Sequence, residues 1–177
     1  MRRSRLRVPL GYALFALVVV LARPRMETVA AGIALAVLGE SLRIWASGHI
    51  EKTARLATGG PYAHTRNPLY VGSALLGLGV AAASASLLVV VAVAAYFAAF
   101  YPAVIREESA FLAGRFPEEY AEWVRGVPAF LPRLRPAGPR ATRFDWQRVK
   151  ANREWRTAAA LPAVAALLAA RAVLGPQ

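Results

Sequence analysis

Five apolar runs, separated by polar segments, organise this chain of 177 residues. They cover about residues 8–22, 28–47, 69–83, 86–105 and 157–174. A spanning helix needs about 20 residues, with ~17 as a lower limit. The first and third runs are therefore short, and tilt, local thinning or flanking turns must make up the difference. The expected fold is all-α, a polytopic membrane helix bundle with about five transmembrane helices. Arg171 interrupts the fifth run, so an interfacial helix stands beside a span there. The first run, with basic residues before it and Val20-Leu21-Ala22 at its end, has the look of a cleaved leader; Arg23-Pro24 and the later spans favour retention.

Only Ala83, Ser84 and Ala85 join the third and fourth runs. So short a link forces an antiparallel helical hairpin whose ends return to one membrane face. The residues around Arg66-Asn67 and around Arg106-Glu107-Glu108 are thereby expected side by side.

Charge orients this arrangement. The formal net charge is +12, and the basic residues fall in alternate gaps. Arg2, Arg3, Arg5 and Arg7 precede the first run; Arg43, Lys52, Arg55 and Arg66 lie around and beyond the end of the second; eleven Arg or Lys lie in 106–156. The opposite gaps hold only Arg23, Arg25 and, near the end, Arg171. The bias predicts a cytoplasmic amino terminus with both polar segments on that side. Anionic lipid headgroups, rather than nucleic acid, are the expected polyanion, above all for residues 133–156. Cysteine is absent, which excludes disulfides, thiolate metal sites and cysteine nucleophiles. With His49 and His64 alone, a histidine-rich metal site is not expected.

The chemistry concentrates in GGPYAHTRNPLY, residues 59–70. Asn67 reads as an N-cap and Pro68 as a first-turn residue, while Gly59-Gly60-Pro61 is a turn signal. The same helix start offers unpaired amides to a ligand carboxylate. Tyr62 and Tyr70 supply aromatic walls, and Gly72 permits close approach. Glu107 and Glu108 read either as a solvated helix end or with one carboxylate facing this site, since neighbours on a helix diverge. Glu40 and Arg43 share a helix face, as an interfacial ion pair or with Arg43 in an acceptor pocket. Phe111, Phe116, Tyr120 and Trp123 read as one packed amphipathic face, and His64 as an interface side chain.

Taken in order, these pieces resemble the isoprenylcysteine carboxyl methyltransferases and their phospholipid-methyltransferase relatives. The resemblance rests on Leu56-Ala57-Thr58-Gly59-Gly60-Pro61-Tyr62 and Arg66-Asn67-Pro68-Leu69-Tyr70-Val71-Gly72. After the hairpin it continues with Glu107-Glu108, Phe116-Pro117-Glu118-Glu119-Tyr120 and Val127-Pro128-Ala129-Phe130-Leu131-Pro132. Asn67 stands where the family has histidine, and Pro117 where it has glycine. The resemblance implies an integral membrane enzyme with S-adenosylmethionine in a pocket on the cytoplasmic face. It assigns the cofactor to Leu56, Ala57, Tyr62, Asn67, Pro68, Leu69, Tyr70, Glu107 and Glu108, with Glu108 favoured over Glu107. It assigns the acceptor's anionic group to Arg106, beside Arg43, and makes Arg106 and Glu108 the catalytic candidates. The segment bearing Phe111 and Trp123 is expected to cover the cofactor.

The expected reaction is methyl transfer to a lipophilic acceptor, foremost an isoprenylcysteine-like carboxylate, which is ionised near neutral pH and needs no general base. A phospholipid amine, which would need deprotonation, is the nearest alternative. An NADPH-dependent sterol-reductase-like enzyme and a non-catalytic lipid-binding protein are more distant ones. No metal is expected, and membrane lipids are the expected surroundings. The methyltransferase-like domain is placed at residues 1–132, with its motif-bearing core at 43–132; residues 133–177 form a basic segment and an added membrane helix.

Overall fold

The computed structural model describes residues 2–51, 54–137 and 142–175; Lys52, counted above in the charge bias, lies outside them. Seven α-helices and no strand occur among the described residues: α1 (Arg2–Leu21), α2 (Met26–Ser47), α3 (Pro68–Ala83), α4 (Leu87–Arg115), α5 (Pro117–Gly126), α6 (Trp146–Ala151) and α7 (Trp155–Leu174). The all-α helix bundle expected from the apolar runs is what forms. Three helices, α2, α4 and α7, are long and apolar enough to cross a membrane, and Pro9–Leu21 and α3 are shorter apolar helices. At ~1.5 Å per residue, the 16 residues of α3 reach only about 24 Å, against a hydrocarbon core of ~30 Å.

The chain packs into two compact units. The first comprises Met1–Leu38, Ala74–Val104 and Ala159–Gln177. Here the link at 84–86 reverses the chain, and the facing parts of α3 and α4 run antiparallel. Ala81 meets Val89 and Val93 in one core cluster, and a Cβ on Gly77 would strike the Phe97 ring. Leu168 of α7 packs with Ala22, Val29 and Ala83 in a second cluster. Many large side chains of this unit, among them Tyr12, Leu87, Leu88, Val91 and Leu174, point outward, as on helices that face lipid.

The second unit comprises Gly39–Ser73 and Ile105–Ala158. Its core holds Ala46, Leu56, Tyr62, Trp123 and Val127. The connection from α2 to α3 runs through a 3-10 turn, Gly60–Ala63, and is pinned by residues far along the chain. Trp123 Nε1 donates to Tyr62 O at 3.0 Å. Arg66 N donates to Pro128 O at 2.9 Å, Arg133 N to His64 O at 3.0 Å and Ala137 N to Ala63 O at 2.9 Å. Gly60 adopts φ +56, and any Cβ there would collide with the His49 ring. The turn signal thus reflects both a left-handed backbone and a close contact.

Residues 142–158 also fold onto this unit. Asp145 N donates to Gly48 O at 3.0 Å, and Asn152 Nδ2 to Ser47 O at 2.9 Å. Both bonds tie this segment to the carbonyl groups at the end of α2 and just beyond it. The expected lipid-facing segment therefore makes specific contacts with its own chain as well.

Gly60→Ala should lower stability by about 1–3 kcal/mol, because the positive φ and the His49 contact both oppose a methyl group. Thermal unfolding in detergent measures it, and an unchanged midpoint would refute the assignment. Asn67→Ala should cost about 0.5–1.5 kcal/mol through loss of its side-chain hydrogen bond to Ala129 O, read in the same experiment.

Candidate functional site

The second unit contains a cavity of about 260 Å³. Its floor begins at the end of α2 with Ile50 and Glu51 and continues through Arg55, Leu56 and Ala57. Tyr62, Arg66 and Asn67 follow from the turn and the start of α3. The opposite wall is α4, which contributes Glu108, Ser109, Phe111 and Leu112, and Phe116, Tyr120 and Trp123 complete it. α4 reaches this wall because it does not stop where its apolar run stops. Its 29 residues extend about 43 Å, well beyond a bilayer core.

Local sequence explains each placement. Pro68 opens α3, and Asn67 O accepts from Tyr70 N at 3.0 Å and Val71 N at 3.1 Å. The Asn67 side chain, expected as an amide cap, donates from Nδ2 to Ala129 O at 2.7 Å. Asn67 thus ties the helix start to the Val127–Pro132 motif. Thr65 Oγ1 donates to Phe130 O at 2.9 Å in the same join. His64 has Nδ1 2.8 Å from Arg133 O, so that nitrogen carries the proton. His64 is a pin between segments, consistent with its reading as an interface residue.

Tyr70 donates its hydroxyl to Glu108 Oε2 at 2.7 Å. The contact joins the two sequence-distant clusters expected to meet. Burial pushes the Tyr62 phenol far up from its ordinary pKa, and the nearby Glu108 carboxylate reinforces the shift. Tyr62 is therefore a neutral hydroxyl. Its ring lies 6.4 Å from that of Trp123, which in turn lies 5.9 Å from Tyr120.

Of the residues nominated from sequence, Leu56, Ala57, Tyr62, Asn67 and Glu108 line the cavity together. Tyr70 reaches it through Glu108, while Pro68 and Leu69 lie in the adjoining helix turn. Arg106 and Glu107 are exposed on α4 and absent from the lining. Two residues of helix separate Arg106 from Glu108, a rotation of about 200°. Arg43 also stands off the lining. Its Nε donates to Glu154 Oε1 at 2.7 Å, its Nη1 bonds Ser73 Oγ, and Glu40 Oε2 lies 3.5 Å away.

Arg66, counted from sequence only as a charge and a motif residue, lines the cavity together with Arg55. Its Nε is buried without a hydrogen-bond partner among the described residues. Its place beside Asn67-Pro68 was the available signal. Glu51 and Arg55 carry no such signal, since they border the cavity through tertiary packing alone. No cluster of three or more metal-ligating side chains occurs among the described residues.

Comparison with known proteins places this geometry in context. The cobalt-zinc-cadmium resistance protein CzcN of Cupriavidus metallidurans is 48% identical over 105 residues, covering 58% of this chain and 47% of that protein. The nickel-cobalt-cadmium resistance protein NccN of Alcaligenes xylosoxydans xylosoxydans is 41% identical over 107 residues, with the same coverage. The matched region thus spans about half the length of these curated relatives. No solved structure matches. A family model described as phospholipid methyltransferase matches residues 6–119, from α1 through the turn, the hairpin and the Glu108 wall of the cavity. The chain belongs to the phospholipid methyltransferase family.

Proposed function

We propose that this protein transfers a methyl group from S-adenosylmethionine to a lipophilic acceptor at the membrane interface, foremost a carboxylate of the isoprenylcysteine type. One observation carries the reading: five residues nominated for the cofactor by motif line a single cavity, with an aromatic wall and opposite charges.

The residues present fit such a cofactor. Tyr62, Tyr120 and Trp123 offer aromatic faces to a purine or a sulfonium. Glu108 can accept from ribose hydroxyls or an ammonium group. The buried, unpartnered Nε of Arg66 suits a carboxylate. When bound, S-adenosylmethionine supplies an electrophilic methyl group on a positively charged sulfur.

The chain's own contribution is orientation and exclusion of water, and orientation alone contributes up to ~7–11 kcal/mol in favourable cases. Tyr70 holds the Glu108 carboxylate in place, and Tyr62, a phenol that is neutral near pH 7 and that burial moves further from ionisation, adds no competing anion. A carboxylate acceptor needs no base here, whereas an amine acceptor would. The basic polar segments favour a cytoplasmic active-site face. The names of the two relatives suggest a setting in resistance to cobalt and cadmium.

The decisive experiment incubates purified protein with methyl-labelled S-adenosylmethionine and membrane lipids extracted from cells grown with and without cobalt. Label released by mild alkali as volatile methanol marks a methyl ester; label that stays in a non-volatile headgroup after alkali marks N-methylation. No labelled lipid from either extract would refute the reading. Glu108→Gln should weaken calorimetric S-adenosylmethionine binding by about 1.5–3 kcal/mol, with Tyr70→Phe weaker in the same direction. Arg66→Gln should lower cofactor affinity or turnover more than Arg106→Gln, because, of these two, only Arg66 lines the cavity; the reverse order would restore Arg106 as the acting arginine.

A further inference from the structure

The cavity wall includes a second carboxylate, Glu51, that no family motif nominates. It follows the end of α2 and is partly buried, with its side chain 27% exposed. Its Oε1 is paired with Arg148 Nη2, whose side chain is 24% exposed. Its Oε2 lies 3.9 Å from Arg55 Nε, outside hydrogen-bond range. That oxygen retains the capacity to accept a proton donor from a ligand.

Arg148 is itself held firmly. Its Nη1 donates to Arg143 O at 2.7 Å. Asp145 caps α6 by accepting from Gln147 N at 2.8 Å. Asn152 bonds Ser47 O, and Glu154 bonds Arg43. These contacts fasten α6 and the turn after it to the end of α2, just ahead of Glu51. All of the α6 residues lie beyond residues 6–119, the part that matches the family model.

We infer that Glu51 is a second ligand-contacting carboxylate of the cavity, for a hydroxyl- or ammonium-bearing part of the cofactor, and that Arg148 is its positioning residue. The inference rests on the reading of this cavity as the S-adenosylmethionine site. Among the described residues, loss of Arg148 leaves the carboxylate only the longer ion pair to Arg55, whose side chain is 69% exposed. Ordering Glu51 would then have to occur on binding, at a cost in affinity. Arg148 therefore acts through Glu51 and touches no ligand.

The test is a double-mutant cycle read by calorimetric S-adenosylmethionine binding to the full chain in nanodiscs. Glu51→Gln and Arg148→Gln should each weaken binding by about tenfold. The double variant should bind no more weakly than Glu51→Gln alone, because both changes remove one interaction. Arg148→Lys, which keeps the charge, should recover part of the loss, and the acceptor KM should stay at its wild-type value. Wild-type affinity in Glu51→Gln would overturn the ligand role. A double variant showing the product of the two single losses would overturn the positioning role. Failure of the wild-type protein itself to bind S-adenosylmethionine would sink the cavity reading and this inference with it, and is distinguishable because it precedes any mutation.

Discussion

Leaving the apolar helices, the chain must find partners for the backbone polar groups of residues 59–67, and the structure meets this need with residues 123–137 and Thr142. Pro128 O accepts from Arg66 N, His64 O and Ala63 O accept from Arg133 N and Ala137 N, and Gly59 N donates to Thr142 Oγ1 at 3.1 Å. Trp123 adds its indole N–H to Tyr62 O. A buried carbonyl or amide left without a partner costs about 1–3 kcal/mol. This set of pairings holds the motif turn in a single conformation. The cavity depends on it, because Tyr62, Arg66 and Asn67 on one joined segment and Trp123 on the other all line it.

The charged groups of the second unit follow a related logic. Arg43 on α2 is surrounded by Glu40, Ser73 and Glu154, and both carboxylate oxygens of Glu40 are buried without a hydrogen bond among the described residues. Breaking a buried pair by removing one partner is far more costly than the pair's net worth. Arg43 is consequently an anchor for the turn after α6. A Cβ on Gly72 would come within 2.6 Å of Arg43 Cγ and of Gly39 O, so the missing side chain there lets α3 approach α2 around this anchor. Close approach was legible from sequence; the occupant was not.

Segment after segment, the hydrophobic pattern by itself determined the helices. It located α2, α3 and α7 to within a few residues, marked the first and third apolar runs as short, and set the reversal at 84–86, because apolar length and link length are local quantities; α1 begins six residues earlier, at Arg2, through the basic residues ahead of its apolar run. It underestimated α4, which extends as a helix to Arg115 through a charged stretch with good helix formers. The meeting of Tyr70 with Glu108 was also legible, since a hairpin with a minimal link returns its ends together.

Tertiary structure alone decided which side chains face the cavity. Arg106 and Glu108 are equally plausible in sequence, and both are exposed on α4, but the rotation of the helix sets only Glu108 at the cavity's edge. Arg66 and Glu51 gain their positions from the path of the turn and from the packing of α6, contacts between residues separated by up to 97 positions. Residues 133–156 read from sequence as a basic segment for lipid, because composition reports charge and not partners. The docking of residues 145–154 on the end of α2 depends on Asn152, Asp145 and Glu154 meeting specific backbone and guanidinium groups, and no local pattern encodes such a meeting.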